Sequence, residues 1–219
     1  MRKIFTIVLC VLLGIGAIGS SFVLAKHIDE KLSSEQSNEQ SNEESNEQPN
    51  DSSDDTPDES VERETVTTWD LCTDISQLSV GDQIVIAVQS EEYALGTTQN
   101  TSNRSAASIS KSGHSITFGD DVQIITLEYG LVDNTFAFNV GTGYLYAPSS
   151  ASNQLKTHSS IDENSSWAIS IDTSCVATIT AQGESTRNVL MYNSASQLFS
   201  CYASTQDTVV IYKMVESEL

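Results

Sequence analysis

From residue 80 onward the apolar positions come in short runs bounded by Gly, Asn, Asp or Ser. Ile84-Val85-Ile86-Ala87-Val88 is a dense β-branched run of strand type, and Thr135–Val140 is another strand-like stretch. No stretch beyond residue 80 carries a 3.6-residue period. Ahead of it, Leu71, Ile75, Leu78 and Val80 are isolated apolar points, Asp74 is placed to cap a short turn, and Gly81-Asp82 marks a turn. Many short, closely punctuated strands predict an all-β sandwich or barrel.

One pattern recurs three times: strand, turn, strand, polar loop, strand. Ile84–Val88 leads to Tyr93–Gly96, a loop, then Val122-Gln123-Ile124; Thr135–Val140 leads to Gly143–Ala147, a loop, then Trp167-Ala168-Ile169; Val176–Ile179 leads to Leu190–Asn193, a loop, then Val209-Val210-Ile211. Set under one another, Tyr93/Tyr144/Leu190 and Leu95/Tyr146/Tyr192 form two columns at i, i+2 spacing. Val122/Trp167/Val209 and Ile124/Ile169/Ile211 form two more. A period of this size marks repeat architecture. One unit cannot bury its apolar face, whereas three packed around an axis can, and closure removes exposed strand edges. The expected core is Ile84, Ile86, Leu95, Ile124, Phe138, Leu145, Trp167, Ile169, Leu190 and Ile211.

The repeated Tyr144-Leu145-Tyr146 and Trp167-x-Ile169 pattern, with Asn103-Arg104, Leu198–Tyr202 and Val209–Lys213, resembles β-trefoil modules of secreted or surface bacterial proteins. The resemblance implies a β-trefoil-like barrel with three internal repeats over about residues 66–215. Sugar-binding trefoils of the ricin-B kind carry Gln-x-Trp near each repeat's end. This chain has Gln206-Asp207-Thr208 there, so that motif transfers no sugar site.

Charge divides the chain. Residues 26–65 hold 3 Lys/Arg against 14 Asp/Glu, and residues 66–215 hold 5 against 14. Neither part has the basic footprint that nucleic-acid phosphates require, so nucleic acid is excluded as a partner. Residues 26–65, with the repeated Ser-Asn-Glu-Gln and Ser-Asn-Glu-Glu units and almost nothing to bury, read as a disordered acidic linker. Before it, Arg2-Lys3 precede an uncharged run from Ile4 to Ala25. Residues 1–25 are therefore a signal peptide or a signal-anchor helix, the latter contacting the membrane through residues 4–25 if uncleaved. Both options place the module outside the cell, secreted or single-pass with the N-terminus inside.

Chemistry is sparse. Cys72, Cys175 and Cys201 show no CxxC spacing and no zinc pattern, and read as small buried hydrophobes, with one bridge still open. His114 and His158 stand in Ser/Gly-rich stretches and read as solvated loop residues. Asp120-Asp121 and Asp162-Glu163 are adjacent pairs that suit turns better than acid–base catalysis. Neither a nucleophile elbow nor a phosphate-binding glycine loop is present. The expectation is an extracellular binding module rather than an enzyme, with no cofactor and no metal, recognising a carbohydrate or a surface protein. Adhesion through a protein partner, or an accessory role in a secreted hydrolase system, is the alternative. Candidate contacts are Asn103, Arg104, Asn153, Gln154, Arg187, Asn188, Tyr192 and Asn193, polar or aromatic residues in or beside the loops.

Overall fold

The computed structural model describes residues 65–218, so the signal or anchor segment and the linker up to residue 64 lie outside the described residues. Its strands are β1 (Thr65–Leu71), β2 (Gln83–Val88), β3 (Tyr93–Gln99), β4 (Arg104–Ser112), β5 (Ser115–Phe118), β6 (Ile125–Tyr129) and β7 (Phe136–Asn139). They continue with β8 (Tyr144–Tyr146), β9 (Lys156–His158), β10 (Ser166–Ile171), β11 (Ala177–Ala181), β12 (Val189–Asn193), β13 (Leu198–Tyr202) and β14 (Val209–Glu218). Among the described residues only two 3-10 turns are helical, Ile75–Gln77 and Glu163–Ser165. Each is opened by an aspartate, as expected for Asp74, whose carboxylate accepts from Ser76 N at 2.8 Å while Gln77 Oε1 accepts from Asp74 N at 3.1 Å. The reciprocal bonds satisfy donors that a turn start leaves free.

Antiparallel pairing passes from β14 to β2, β6, β7, β10 and β11 and returns to β14. The six strands thus form a closed cycle. Three hairpins, β3–β4, β8–β9 and β12–β13, each lie in the chain between two cycle strands. The strand–hairpin–strand unit therefore occurs three times, and β1 and β5 are additions alongside β14 and β4.

Register fixes which residues correspond. Within the units Ile84 faces Ile125, Phe136 faces Trp167, and Ala177 faces Val209. Ile125, Trp167 and Val209 are equivalent, all buried, and the intervals from 125 to 167 and from 167 to 209 are equal. The columns expected from sequence are corrected here in the first repeat. Ile124 is 39% exposed, whereas Ile125 and Leu127 are wholly buried. The cause is an extra turn before β6, where Val122 N bonds Gly119 O at 3.2 Å and Val122 bridges to Gly96. It shifts the true column by three residues. In the hairpins, Ala94, Tyr144 and Val189 take equivalent pairings, so the inward column is Leu95, Leu145 and Leu190. Tyr93, Tyr144 and Tyr146 are only half-buried.

Two apolar clusters follow from the alternation of side chains. Ile84, Ile86 and Val88 enter the main core with Leu95, Phe138, Leu145, Trp167, Leu190 and Ile211, and Ile169 packs against it. Val85 and Ala87 enter a second cluster with Ile109, Ile116, Val210 and Tyr212, covered by Trp69, Leu71 and Phe118. β2 is thus buried on both faces, which is why its sequence is an unbroken apolar run. Each fully buried large side chain contributes about 1.5–3 kcal/mol.

Cys72 and Cys201 lie in the main core, Cys175 is half-exposed, and all three thiols are free. Burial pushes Cys72 up to about 11 and Cys201 further still, so neither is a ready nucleophile at neutral pH. His114 is exposed as expected. His158 is not a loop residue: it ends β9, and its ring stacks on Tyr146 with centroids 4.1 Å apart.

Candidate functional site: an arginine-floored cleft between repeats

The first hairpin does not run straight. β3 and β4 pair at Leu95–Ala106 and again at Gln99–Arg104, with a register shift between. The turn is closed by Asn100 N to Asn103 O at 2.8 Å and by Asn100 Nδ2 to Asn103 Oδ1 at 2.9 Å. The shifted end carries Arg104 inward until it is only 2% exposed. Its Nε donates to Gln99 Oε1 at 3.2 Å, Nη1 to Gly96 O at 3.3 Å and Gln123 Oε1 at 2.7 Å, and Nη2 to Thr157 Oγ1 at 2.8 Å. Gln99 reaches on to Leu155 O at 3.0 Å, and Leu155 N bonds Ser102 O at 2.8 Å, so the second repeat is fastened to the first around this arginine.

Above the guanidinium lies a cleft of about 460 Å³ lined by Thr97, Gln99, Arg104, Gln123, Val140, Thr142 and Thr157. Thr142 stands between Gly141 and Gly143 in the turn from β7 to β8. A Cβ at Gly143, whose φ is +140°, would collide with His158 O, so glycine is required there. Burial pulls Arg104 down to about 10, and no charged neighbour opposes this; it stays protonated at neutral pH. The lining holds hydroxyls, amides and one cation but no carboxylate, imidazole or thiol. Such a wall can orient a polar ligand; it offers no general base.

The other expected contacts fall in three places. Asn103 forms the hairpin turn beside the cleft. Asn153 and Arg187 come together across two loops: Arg187 Nη1 donates to Asn153 Oδ1 at 2.7 Å and Nε to Ser150 O at 3.2 Å. Gln154 lies in the same loop and bonds Ser152 Oγ at 2.7 Å. Asn188, Tyr192 and Asn193 make internal contacts. Asn188 Nδ2 holds Ala181 O at 2.9 Å, and Asn193 Oδ1 caps the β12–β13 turn at Ser196 N, 3.0 Å away. Tyr192 is fully buried against Phe199, with its hydroxyl 3.4 Å from Glu91 Oε2, so it is a core residue rather than a ligand contact. Thr97, Gln99, Gln123, Thr142 and Thr157 escaped the sequence reading. Gln123 sits between Val122 and Ile124, where simple alternation turns it outward, and nothing local signals its burial beside Arg104.

A second cleft, of about 630 Å³, is lined mainly by apolar groups of Ile75, Leu78, Val80, Tyr129, Val132 and Phe136, with Asp133 and Asn134. Among the described residues no group of three or more His, Cys, Asp or Glu could hold a metal ion, and no helix is long and apolar enough to cross a membrane.

No protein-family model matches the chain, and no curated protein matches it. Solved structures do. The chain is similar to the BEL beta-trefoil in an apo crystal form, at 16% identity and TM-score 0.47, over 63% of this chain and 96% of that one. It is also similar to the designed three-fold symmetric protein ThreeFoil, at 17% identity and TM-score 0.38, over 63% and 99%. A GH43 β-1,3-galactosidase aligns at 10% identity and TM-score 0.48, over 67% of this chain but 29% of that enzyme.

Proposed function

We propose that residues 66–215 are a β-trefoil-like barrel module that binds a carbohydrate in the Arg104 cleft without transforming it, displayed outside the cell on the acidic linker. The observation that carries the reading is the lining itself: three threonine hydroxyls, two amides and a guanidinium around a preformed concavity. Sugar hydroxyls donate and accept at once, and Thr97, Gln99, Arg104 and Thr157 present this wall from strands, with Thr142 at its rim on the β7–β8 turn. The closed six-strand cycle and its three hairpins support the barrel reading. The export or anchor run at residues 4–25 supports the extracellular placement.

The test is a titration of the full-length chain against cell-wall, host-type and plant glycans, with Gln123→Leu and Thr142→Trp as cleft variants. Binding that both variants weaken supports the reading. Absence of binding to every glycan at millimolar concentration rejects it. Tyr129 and Leu131, 77% and 61% exposed, favour a second reading in which the apolar cleft meets a protein partner. Partner capture that Tyr129→Ser abolishes and Thr142→Trp leaves intact would select it.

A further inference from the structure

We infer that the ligand of the Arg104 cleft carries a carboxylate: the preferred carbohydrate is an acidic sugar of the uronate or sialate class. The inference rests on the carbohydrate reading and adds the charge of the ligand.

A guanidinium has five N–H donors. Four bonds from Arg104 are made, to Gln99 Oε1, Gly96 O, Gln123 Oε1 and Thr157 Oγ1, and every acceptor is neutral. The second Nη2 hydrogen is left over. Arg104 is 98% removed from solvent, yet among the described residues no acidic side chain lines the cleft and none is paired with the guanidinium. A buried cation is ordinarily paired, because neutral dipoles recover only part of its lost hydration. Here the planar fork is held from three sides, so a ligand oxygen meets a donor whose ordering has already been met by the fold. A carboxylate at that point supplies the missing counter-charge and accepts the spare hydrogen in a charge-assisted bond.

The rest of the module narrows the anion. With 5 Lys/Arg against 14 Asp/Glu in residues 66–215, the surroundings repel a multiply charged group. One carboxylate on an otherwise neutral, hydroxyl-rich ring fits one cation among threonines and glutamines. A phosphorylated or multiply sulfated glycan does not.

The experiment compares galacturonic acid and N-acetylneuraminic acid with their methyl esters, which keep ring and hydroxyls and lose the charge, by calorimetry on the full-length chain at neutral pH. At least one acid should bind about tenfold or more tighter than its ester, the scale of one charge-assisted hydrogen bond. Arg104→Gln should erase that preference. Because Arg104 also fastens two repeats, Thr142→Asp is the second variant: Thr142 is exposed at the rim, so the fold is kept, and the new carboxylate should weaken binding of the acid by several-fold more than binding of its ester. Equal affinity for acid and ester overturns the charge inference and leaves the carbohydrate reading standing. Binding of neither these sugars nor any other glycan overturns both.

Discussion

The indole Nε1 of Trp167 donates to the carbonyl oxygen of Leu145 at 3.0 Å, tying a strand of the closed cycle to the hairpin of its own repeat. Both residues are fully buried, and Trp167 also stacks on Phe138 with centroids 5.4 Å apart. Trp167→Phe keeps most of the apolar volume but leaves the Leu145 carbonyl without that donor, which should cost about 1–3 kcal/mol. Trp167→Ala adds a cavity and should cost about 3–5 kcal/mol. Urea unfolding followed by circular dichroism measures both.

The shifted first repeat makes a paired prediction. Ile125→Ala should destabilise by about 2–5 kcal/mol. Its neighbour Ile124, 39% exposed, should lose well under half of that on the same substitution. Equal losses in chemical denaturation would contradict the register.

Gly143 closes the turn beneath the cleft rim. Gly143→Ala forces a Cβ towards His158 O at a φ of +140° and should lower stability by more than about 1 kcal/mol. Gly113, with φ +59° and open space around it, should tolerate Asn with a smaller loss. Thermal melts of the two variants rank them.

Alkaline pH should weaken the fold between about pH 9 and 12. Burial raises Cys72 to about 11 and Cys201 beyond that, and burial, together with Glu91, raises Tyr192 to about 12. These groups hold their protons more tightly folded than unfolded. Their stabilisation is complete below the unfolded values near 9 and 10 and is lost as pH rises through the folded ones. Arg104, pulled down to about 10, works in the opposite direction. The melting temperature should therefore fall above about pH 9, and Cys201→Ala should flatten part of that fall.

The Arg187–Asn153 contact is a staple between exposed loops and should matter little to stability. Arg187→Ala should cost under about 1 kcal/mol. If the carbohydrate site lies at Arg104, the same variant should leave glycan affinity unchanged in a titration.

How much of this was legible beforehand depends on the range over which each interaction acts. Alternation and turn residues are local. Strand character, the repeated unit, the aspartate cap at Asp74 and most of the core, including Ile86, Phe138, Trp167 and Ile211, could be read from the sequence because a side chain's face follows from its parity along a strand. Register between repeats could not, since Gly119-Asp120-Asp121 marks a turn locally but does not mark it as an extra one that moves every later residue of that repeat. The site divides in the same way. Arg104 was one of eight polar or aromatic candidates in or beside the loops, and the sequence determined that much. Its burial, and its meeting with Gln99, Gln123 and Thr157 from three separate segments, was decided only by the tertiary structure, because hydrogen bonds across 19 and 53 residues arise once the repeats have packed.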